Sequence, residues 1–187
     1  MFTGLLDRCC TNVTKEPPLT ELQGETFRHK TANTKSGARS DIRARNFWRQ
    51  GQDAYFDIRI THVNAMSQKD SSTDSIFKQH ENEKKREYNQ RILEVEHGTF
   101  TPLVIGTNGG MGMECQMFMK NLADRLSKKQ VLEKYSSVMT WIRTKLSFEV
   151  LRSTVLCIRG SRTPWQGKMN TDDFGLLAHE AGLDTKL

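Results

Sequence analysis

The chain has 187 residues, of which 36% are apolar and 27% charged, and its formal charge is +6. That length suits one domain with a substantial buried core, while the low apolar fraction predicts polar flanking segments. Lys and Arg outnumber Asp and Glu by 28 to 22, which favours a polyanionic partner such as a nucleic acid. No apolar run approaches the roughly 18 residues of a membrane span, so we expect no membrane partner.

The cysteines and the first eight residues indicate in which cellular compartment the protein is expected. The four cysteines are Cys9, Cys10, Cys115 and Cys157. They show neither the spacing of zinc ligands nor that of a secreted disulfide framework, and residues 1–8 are too short and polar for a signal peptide. We therefore expect the nucleus or the cytoplasm and not secretion.

In chain order, the first predicted element is a helix over residues 4–12. The pair Pro17-Pro18 prevents it from continuing, because proline lacks the amide hydrogen that a helix needs. Residues 25–32 are predicted as a short strand, and the turn-rich residues 33–37 would fold it back as a hairpin. The second predicted strand covers residues 38–44, where apolar residues alternate after an aspartate.

The clearest strand is predicted over residues 54–63. Apolar residues alternate there with Asp57, Arg59 and Thr61, so one face is apolar and the other polar. A long charged helix is predicted next, over about residues 74–96.

The second half of the chain predicts one more strand, followed by helices. Residues 100–106 are a short apolar run typical of a buried strand, and residues 113–128 show helical spacing. Residues 107–110 between them form either a phosphate-binding turn or a tight connection. Residues 131–159 predict one or two further amphipathic helices.

These patterns predict an α/β (α+β) protein with a mixed sheet of about four strands flanked by helices and C-terminal helical additions. The core is expected at residues 1–128, and a helical extension at 129–160 is expected to pack on it. Residues 161–187 are polar and broken by glycine and proline, so we expect a loosely ordered tail.

Two aspartates on the predicted strands are the candidates for chemistry. Asp41 belongs to the second strand and Asp57 to the polar face of the third. Carboxylates on one face of neighbouring strands supply the hard oxygen ligands that Mg²⁺ or Mn²⁺ takes. Arg59 projects beside Asp57, where its cation would hold the attacking water or the scissile phosphate. A merely solvated strand face would show the same pattern.

The long helix carries a lysine on a stripe that is otherwise expected to pack. Phe77, Lys84, Tyr88 and Arg91 fall on this stripe at helical spacing. Lys84 either reaches the carboxylates as a substitute catalytic cation or extends its stem over the sheet and keeps its ammonium in water. Both interpretations stay open.

The helical region beyond residue 127 is basic and contains a tryptophan. This composition indicates a phosphate-binding face with a stacking residue, or the solvated side of helices whose apolar side holds the tryptophan. The candidate nucleic-acid-binding residues are Lys128, Lys129, Trp141, Arg143, Lys145 and Arg152.

Short sequence blocks, in order over most of the chain, carry a family resemblance. They include Ala-Arg-Ser-Asp-Ile at 38–42, Phe-Asp-Ile-Arg at 56–59, Glu-Lys-Lys-Arg at 83–86, Phe-Thr-Pro-Leu-Val at 100–104 and Ile-Arg-Gly-Ser-Arg at 158–162. The chain thereby resembles the C-terminal region of reverse-transcriptase polyproteins of non-long-terminal-repeat retrotransposons.

The resemblance implies a PD-(D/E)XK fold, the restriction-like endonuclease core, which nicks target DNA for element insertion. Asp41 matches the first acidic position of that pattern, Asp57 the second, and Glu16 the acidic residue contributed by the family's first helix. Arg59 stands where the family has lysine. An arginine stays protonated and is a poor proton acceptor, which makes Lys84 the substitute to consider.

The resemblance also implies Mg²⁺ or Mn²⁺ as cofactor and DNA, or an RNA–DNA hybrid, as partner. The homologous polyproteins continue upstream with a polymerase and a Cys/His-rich segment, so we expect this chain to begin within the first core helix. The alternative function is a catalytically inactive nucleic-acid-binding remnant, favoured by the positive charge and by Arg59.

Overall fold

The fold is given by a computed structural model. It describes the chain except residues 69, 130–133 and 159–187, and except the side chains of Ser67, Cys157 and Ile158. The predicted tail at 161–187 lies outside the described residues. Among the described helices, none is both long and apolar enough to cross a membrane.

The chain divides into two compact units, Met1–Arg152 and Ser153–Leu187. The first unit contains the whole sheet and every candidate site residue. In the second unit, the described residues are 153–158, which are helical.

Helices and strands occur along the chain in the predicted order. They are α1 (Phe2–Asp7), β1 (Thr11–Lys15), β2 (Ile42–Arg45), β3 (Asp53–Thr61), a short 3₁₀ helix (Met66–Gln68), α2 (Thr73–Glu94), β4 (Thr99–Gly106), α3 (Met113–Lys129) and α4 (Tyr135–Ile158). The strands form one sheet in the order β1-β2-β3-β4. The first two pairings are antiparallel and the last is parallel, with α2 as the crossover that parallel strands require. The predicted mixed sheet flanked by helices is confirmed.

One face of the sheet is covered by α1, α3 and α4. Side chains at alternate positions of β3 and β4 point into this layer, as the two-residue period of a strand requires. At its centre, the Phe118 ring of α3 lies 5.0–5.2 Å from the rings of Phe2, Phe47 and Phe56. Val138, Ile142, Leu146 and Val150 of α4 belong to the same buried cluster.

The opposite face is covered by α2. Tyr55 and Phe100 of the sheet pack with Tyr88 and Ile92 of the helix. Val104 packs with Phe77 nearer the start of the helix. The remaining β3 positions on this face are polar, and they place the candidate site between β3 and α2.

The predicted strand at residues 25–32 and its hairpin are wrong. The segment has one aromatic residue and no apolar alternation, and it is held to α2 by side-chain and backbone bonds. The Arg28 amide donates to Oε1 of Gln90 at 2.9 Å, and the Asn33 amide donates to the Glu87 carbonyl at 2.8 Å. These bonds satisfy backbone groups that a strand would have paired in a ladder.

Two boundaries near the start also differ from the prediction. The first helix ends at Asp7 instead of residue 12, and residues 11–15 form the polar edge strand β1 that the sequence did not predict. The second strand begins only at Ile42 instead of residue 38. The prediction that Asp41 belongs to the second strand is therefore wrong, because Asp41 lies in a bend just before β2. The elements β3, α2, β4 and α3 match their predictions within two residues.

Candidate functional site

Three polar side chains of β3 pair in order with three of α2. The crossover helix runs back along the strand, so rising positions on β3 meet falling positions on α2. The pairs are Asp57 with Lys84, Arg59 with Glu83, and Thr61 with His80. The two elements thus form a continuous polar seam under the helix.

Asp57 is the most buried carboxylate of this seam. Only 9% of its side chain is exposed, and its Oδ2 lies 3.1 Å from Nζ of Lys84. Burial raises the pKa of Asp57, because the charged form loses solvation, and Lys84 offsets this only in part. The charges of Asp41 and Glu87 raise the pKa further.

Lys84 is held in place by several acidic and aromatic neighbours. Its Nζ lies 3.5 Å from Oε2 of Glu87 and 5.3 Å from the centre of the Tyr88 ring. Burial alone would lower the pKa of Lys84, but the charge and hydrogen bond of Asp57, together with the charges of Glu87 and Tyr88, outweigh it and raise this pKa. Lys84 therefore reaches the carboxylate and stays protonated at neutral pH. With 21% of its side chain exposed, it does not simply extend into water.

Asp41 approaches β3 through its side chain. Its Oδ2 accepts a hydrogen bond of 2.6 Å from the amide of Ile58, the residue after Asp57. The carboxylate thus provides the hydrogen-bond acceptor for an amide of β3 that lies just beyond the pairing of β2 with β3. Because Ile58 directly follows Asp57, this bond brings the Asp41 side chain next to the strand position that holds Asp57.

Arg59 is turned to a different partner. Its Nη1 donates to Oε2 of Glu83 at 2.8 Å, and the same oxygen lies 3.3 Å from Nδ1 of His80. Burial acts to raise the pKa of Glu83, but hydrogen bonds from His80, Gln79 and Arg59 outweigh it and lower this pKa. Arg59 is thus neutralised by Glu83, and Lys84 provides the cation that touches Asp57.

Glu16 is joined to Asp41 by a backbone hydrogen bond. Its amide donates to the Asp41 carbonyl at 2.8 Å, and its φ of 50° is uncommon for a residue with a side chain. The side chain is more than half exposed, and it forms an ion pair with Lys15 at 3.8 Å. Glu16 therefore approaches Asp41 through its backbone, while its exposed carboxylate pairs with Lys15.

The carboxylates at this site fit the ligand chemistry of a hard divalent cation. The Oδ2 atom of Asp41 accepts from the Ile58 amide and that of Asp57 pairs with Lys84, so both carboxylates are fixed on β3. Within the part of the chain that the structure describes, no group of three or more His, Cys, Asp or Glu is placed to hold a metal. Two carboxylates still suffice for Mg²⁺, which usually keeps several waters.

The predicted nucleic-acid-binding residues lie away from this seam, on α3 and α4. Trp141 is 43% exposed, with Arg8 and Lys145 placed 5.9 and 5.2 Å from its ring centre. It does not belong to the buried side of α4, so the second interpretation of the tryptophan is wrong. The remaining candidates, all exposed, are Lys128, Lys129, Arg143 and Arg152. Lys128 forms an ion pair of 2.6 Å with Asp124.

Residues 107–110 form a tight connection. Oδ1 of Asn108 accepts from the Gly110 amide at 3.0 Å, and Gly109 has a φ of 83° that suits glycine. The start of α3 already binds a carboxylate, because Oε1 of Glu81 accepts from the Glu114 amide at 2.9 Å. This turn has little free capacity for a phosphate.

Sequence reasoning missed Glu83, Glu87 and His80. Their spacing from Lys84 on one helix was visible, but which strand residues they meet depends on the helix position over the sheet. Glu87 lies three residues after Lys84, which is a usual spacing for an ion pair on a helix.

No family model, no curated protein and no solved structure matches this chain. The fold and the site define an α/β protein with a four-stranded mixed sheet and a buried acidic site between β3 and α2. The family suggested by the sequence blocks stays a prediction.

Proposed function

We propose that this chain carries a restriction-like endonuclease core of retrotransposon origin, which nicks DNA with Mg²⁺ or Mn²⁺ bound by Asp41 and Asp57. The observation that carries the proposal is the buried ion pair of Asp57 with Lys84 on β3, with the carboxylate of Asp41 bonded to the next amide of the strand. Metal-assisted phosphodiester cleavage uses carboxylates as metal ligands, and a fixed cation stabilises charge on the phosphate. A mixed sheet with helices on both faces is compatible with the proposed fold.

The local charge supports a divalent cation at this point. Asp57 and Glu87 both pair with the one ammonium of Lys84, so the formal charge of this group is negative within a chain of charge +6. Burial makes the ionised Asp57 unfavourable, and a bound cation would relieve that cost. The bound metal would activate water and neutralise charge that develops on the phosphate.

Lys84 is suited to a charge-stabilising role. Because Asp57 raises its pKa, Lys84 stays an ammonium and cannot accept a proton from water. It would instead orient Asp57 and attract a non-bridging phosphate oxygen. Arg59 forms an ion pair with Glu83, so it would have to leave Glu83 to bind a phosphate of the substrate.

The second candidate function is a nucleic-acid-binding remnant without catalysis. It is favoured by the absence, within the described residues, of a group of three metal ligands and by the pairing of Arg59 with Glu83. The exposed cations of α3 and α4, with the exposed ring of Trp141, would then bind phosphates and stack on bases.

Nicking of supercoiled plasmid by the purified chain with Mn²⁺ tests the proposal. We expect Asp57→Asn and Lys84→Met each to reduce the nicking rate at least about 100-fold, because each removes a fixed charge at the reacting phosphate. The matched control is Asp124→Asn on α3, which removes an exposed carboxylate and should nick like the parent. Circular dichroism of each variant checks that the fold is retained.

The same experiment separates the two candidates. Nicking by Asp57→Asn at the parental rate would contradict the metal-site assignment. If the parent nicks under neither metal but binds duplex DNA with an affinity that falls steeply with salt, the remnant is correct. In that case, Lys145→Ala and Trp141→Ala should weaken binding while Asp57→Asn should not.

A further inference from the structure

The two adjacent cysteines, Cys9 and Cys10, form a close pair of thiols outside the polar seam. They follow α1, where the amides of both residues donate to the Leu6 carbonyl at 3.0 and 2.7 Å. This turn brings both sulfurs to one side, and Sγ of Cys9 lies 3.8 Å from Sγ of Cys10. Cys9 is partly exposed, whereas Cys10 is 8% exposed.

The charges around the pair favour one thiolate. The hydrogen bond from Cys9 is the largest cause of the lowered pKa of Cys10, and the cations of Arg125 and Lys129 on α3 lower it further. Burial and the charge of Asp7 act in the opposite direction. The pKa of Cys9 is raised, first by the same hydrogen bond. Either sulfur can donate in the contact between them, and Sγ of Cys9 also lies 3.6 Å from the Leu5 carbonyl oxygen.

We propose that Cys9 and Cys10 are a dithiol site that is oxidised by hydroperoxides, with Cys10 as the nucleophile and Cys9 as the resolving thiol. A thiolate is the reactive form of cysteine, and neighbouring cations stabilise it. The second thiol lies at contact distance, so an oxidised first sulfur has a reaction partner at once. This site does not depend on the proposed nuclease activity.

The reaction has two balanced steps. In the first, the Cys10 thiolate attacks one oxygen of the peroxide, an S–O bond forms, and the O–O bond breaks. Sulfur gives up two electrons to the peroxide, and the hydroxide that leaves takes a proton from solvent to become water. In the second, Cys9 sulfur attacks the sulfenic sulfur of Cys10, an S–S bond forms, and the S–O bond breaks. The hydroxide leaves as water with the thiol proton of Cys9.

The product should be readily reversed by thiols. Neighbouring Cα atoms are about 3.8 Å apart, whereas disulfide-bonded residues usually have Cα atoms roughly 4.4–6.8 Å apart. A disulfide between adjacent residues is therefore strained, and strained disulfides are reduced more easily.

Cys115 provides an internal comparison in the same chain. It is fully buried, and burial raises its pKa to about 12, so it stays a neutral thiol. No cation contributes to its shift. The proposal requires the pair to react much faster than Cys115.

The test treats the folded chain, in a Cys157→Ser background, with hydrogen peroxide and follows each cysteine by mass spectrometry. We expect the peptide with Cys9 and Cys10 to lose two hydrogens at least about 10-fold faster than Cys115 is oxidised, and to regain them with dithiothreitol. In Cys9→Ser, a dimedone adduct should accumulate on Cys10, because the resolving thiol is gone.

Two outcomes would overturn the proposal. One is oxidation of the pair no faster than that of Cys115, a comparison within one molecule that can be repeated in the parent chain. The other is an equal rate of sulfenic acid formation in Arg125→Met with Lys129→Met, since the cations would then not activate the thiolate. Circular dichroism of that double variant checks its fold.

Discussion

The two faces of the sheet bury different kinds of side chain. Towards α1, α3 and α4, the buried cluster is apolar and centred on the Phe118 ring. Towards α2, the buried side chains include Asp57, His80 and Arg91. The same strand, β3, supplies both faces, because its residues alternate between Phe56 on one side and Asp57 on the other.

Stability and candidate chemistry therefore reside on different faces of the sheet. The apolar face gains free energy from burial, roughly in proportion to area. The α2 face contains Asp57, whose desolvation is only partly offset by Lys84, and such perturbed groups are typical of functional sites. If that division is correct, substitutions on the two faces should differ in size and in their dependence on pH.

The largest effect is expected on the apolar face. Phe118→Ala removes a fully buried ring that contacts three others and should lower the free energy of unfolding by about 3–5 kcal/mol. Urea denaturation followed by circular dichroism measures it. The control is Phe148→Ala on α4, which is 67% exposed and should change stability by less than about 0.5 kcal/mol. Equal losses in the two variants would mean that Phe118 does not anchor the core.

An intermediate effect is expected from the buried arginine on the other face. Arg91 is 0% exposed, and its guanidinium donates to the carbonyls of Thr20 at 2.8 Å, Asn33 at 2.7 Å and Lys35 at 3.3 Å. Arg91→Met leaves these carbonyls without their donors and should cost about 2–3 kcal/mol.

Hydrogen exchange shows whether this loss is local. In Arg91→Met, the amide of Asn33 should exchange faster, because the segment that Arg91 holds against α2 loosens. Arg86→Met, at an exposed position of the same helix, is the matched control and should leave that rate unchanged. Unchanged exchange in both variants would argue against this role of Arg91.

The smallest effect is a change of stability with pH at Asp57. Because burial raises its pKa, the folded state holds the proton more tightly than the unfolded state. The stability that this group contributes is present below its unfolded pKa and is lost as the pH rises through its folded pKa. The Asp57→Asn variant should therefore gain stability relative to the parent as the pH rises through the carboxyl range to neutrality.

Urea denaturation of both proteins at several pH values measures this difference. Lys84 loses its partner in the variant but stays charged throughout that range, so it shifts the difference by a constant amount. A difference that falls with rising pH would contradict the raised pKa of Asp57.

The sequence predicted the elements whose patterns are strong over many residues. The alternation around Asp57 identified β3, and the length of the charged segment identified α2. It failed at residues 25–32 and at β1, where no periodic pattern exists and long-range partners determine the backbone. The bonds from Arg28 and Asn33 to α2 span about sixty positions, and nothing local indicates them.

For the candidate site, too, the sequence predicted one part and only the tertiary structure decided the other. Sequence alone determined that Asp57 and Arg59 share the polar face of a strand, because side-chain direction alternates along any strand. It also identified Lys84 on the packed stripe of α2. Only the tertiary structure decided that Lys84 meets Asp57, that Glu83 neutralises Arg59 and that Asp41 reaches the amide of Ile58. Those contacts depend on where α2 lies along β3 and on where β2 begins. Packing of the whole sheet sets both positions, so no local pattern determines them.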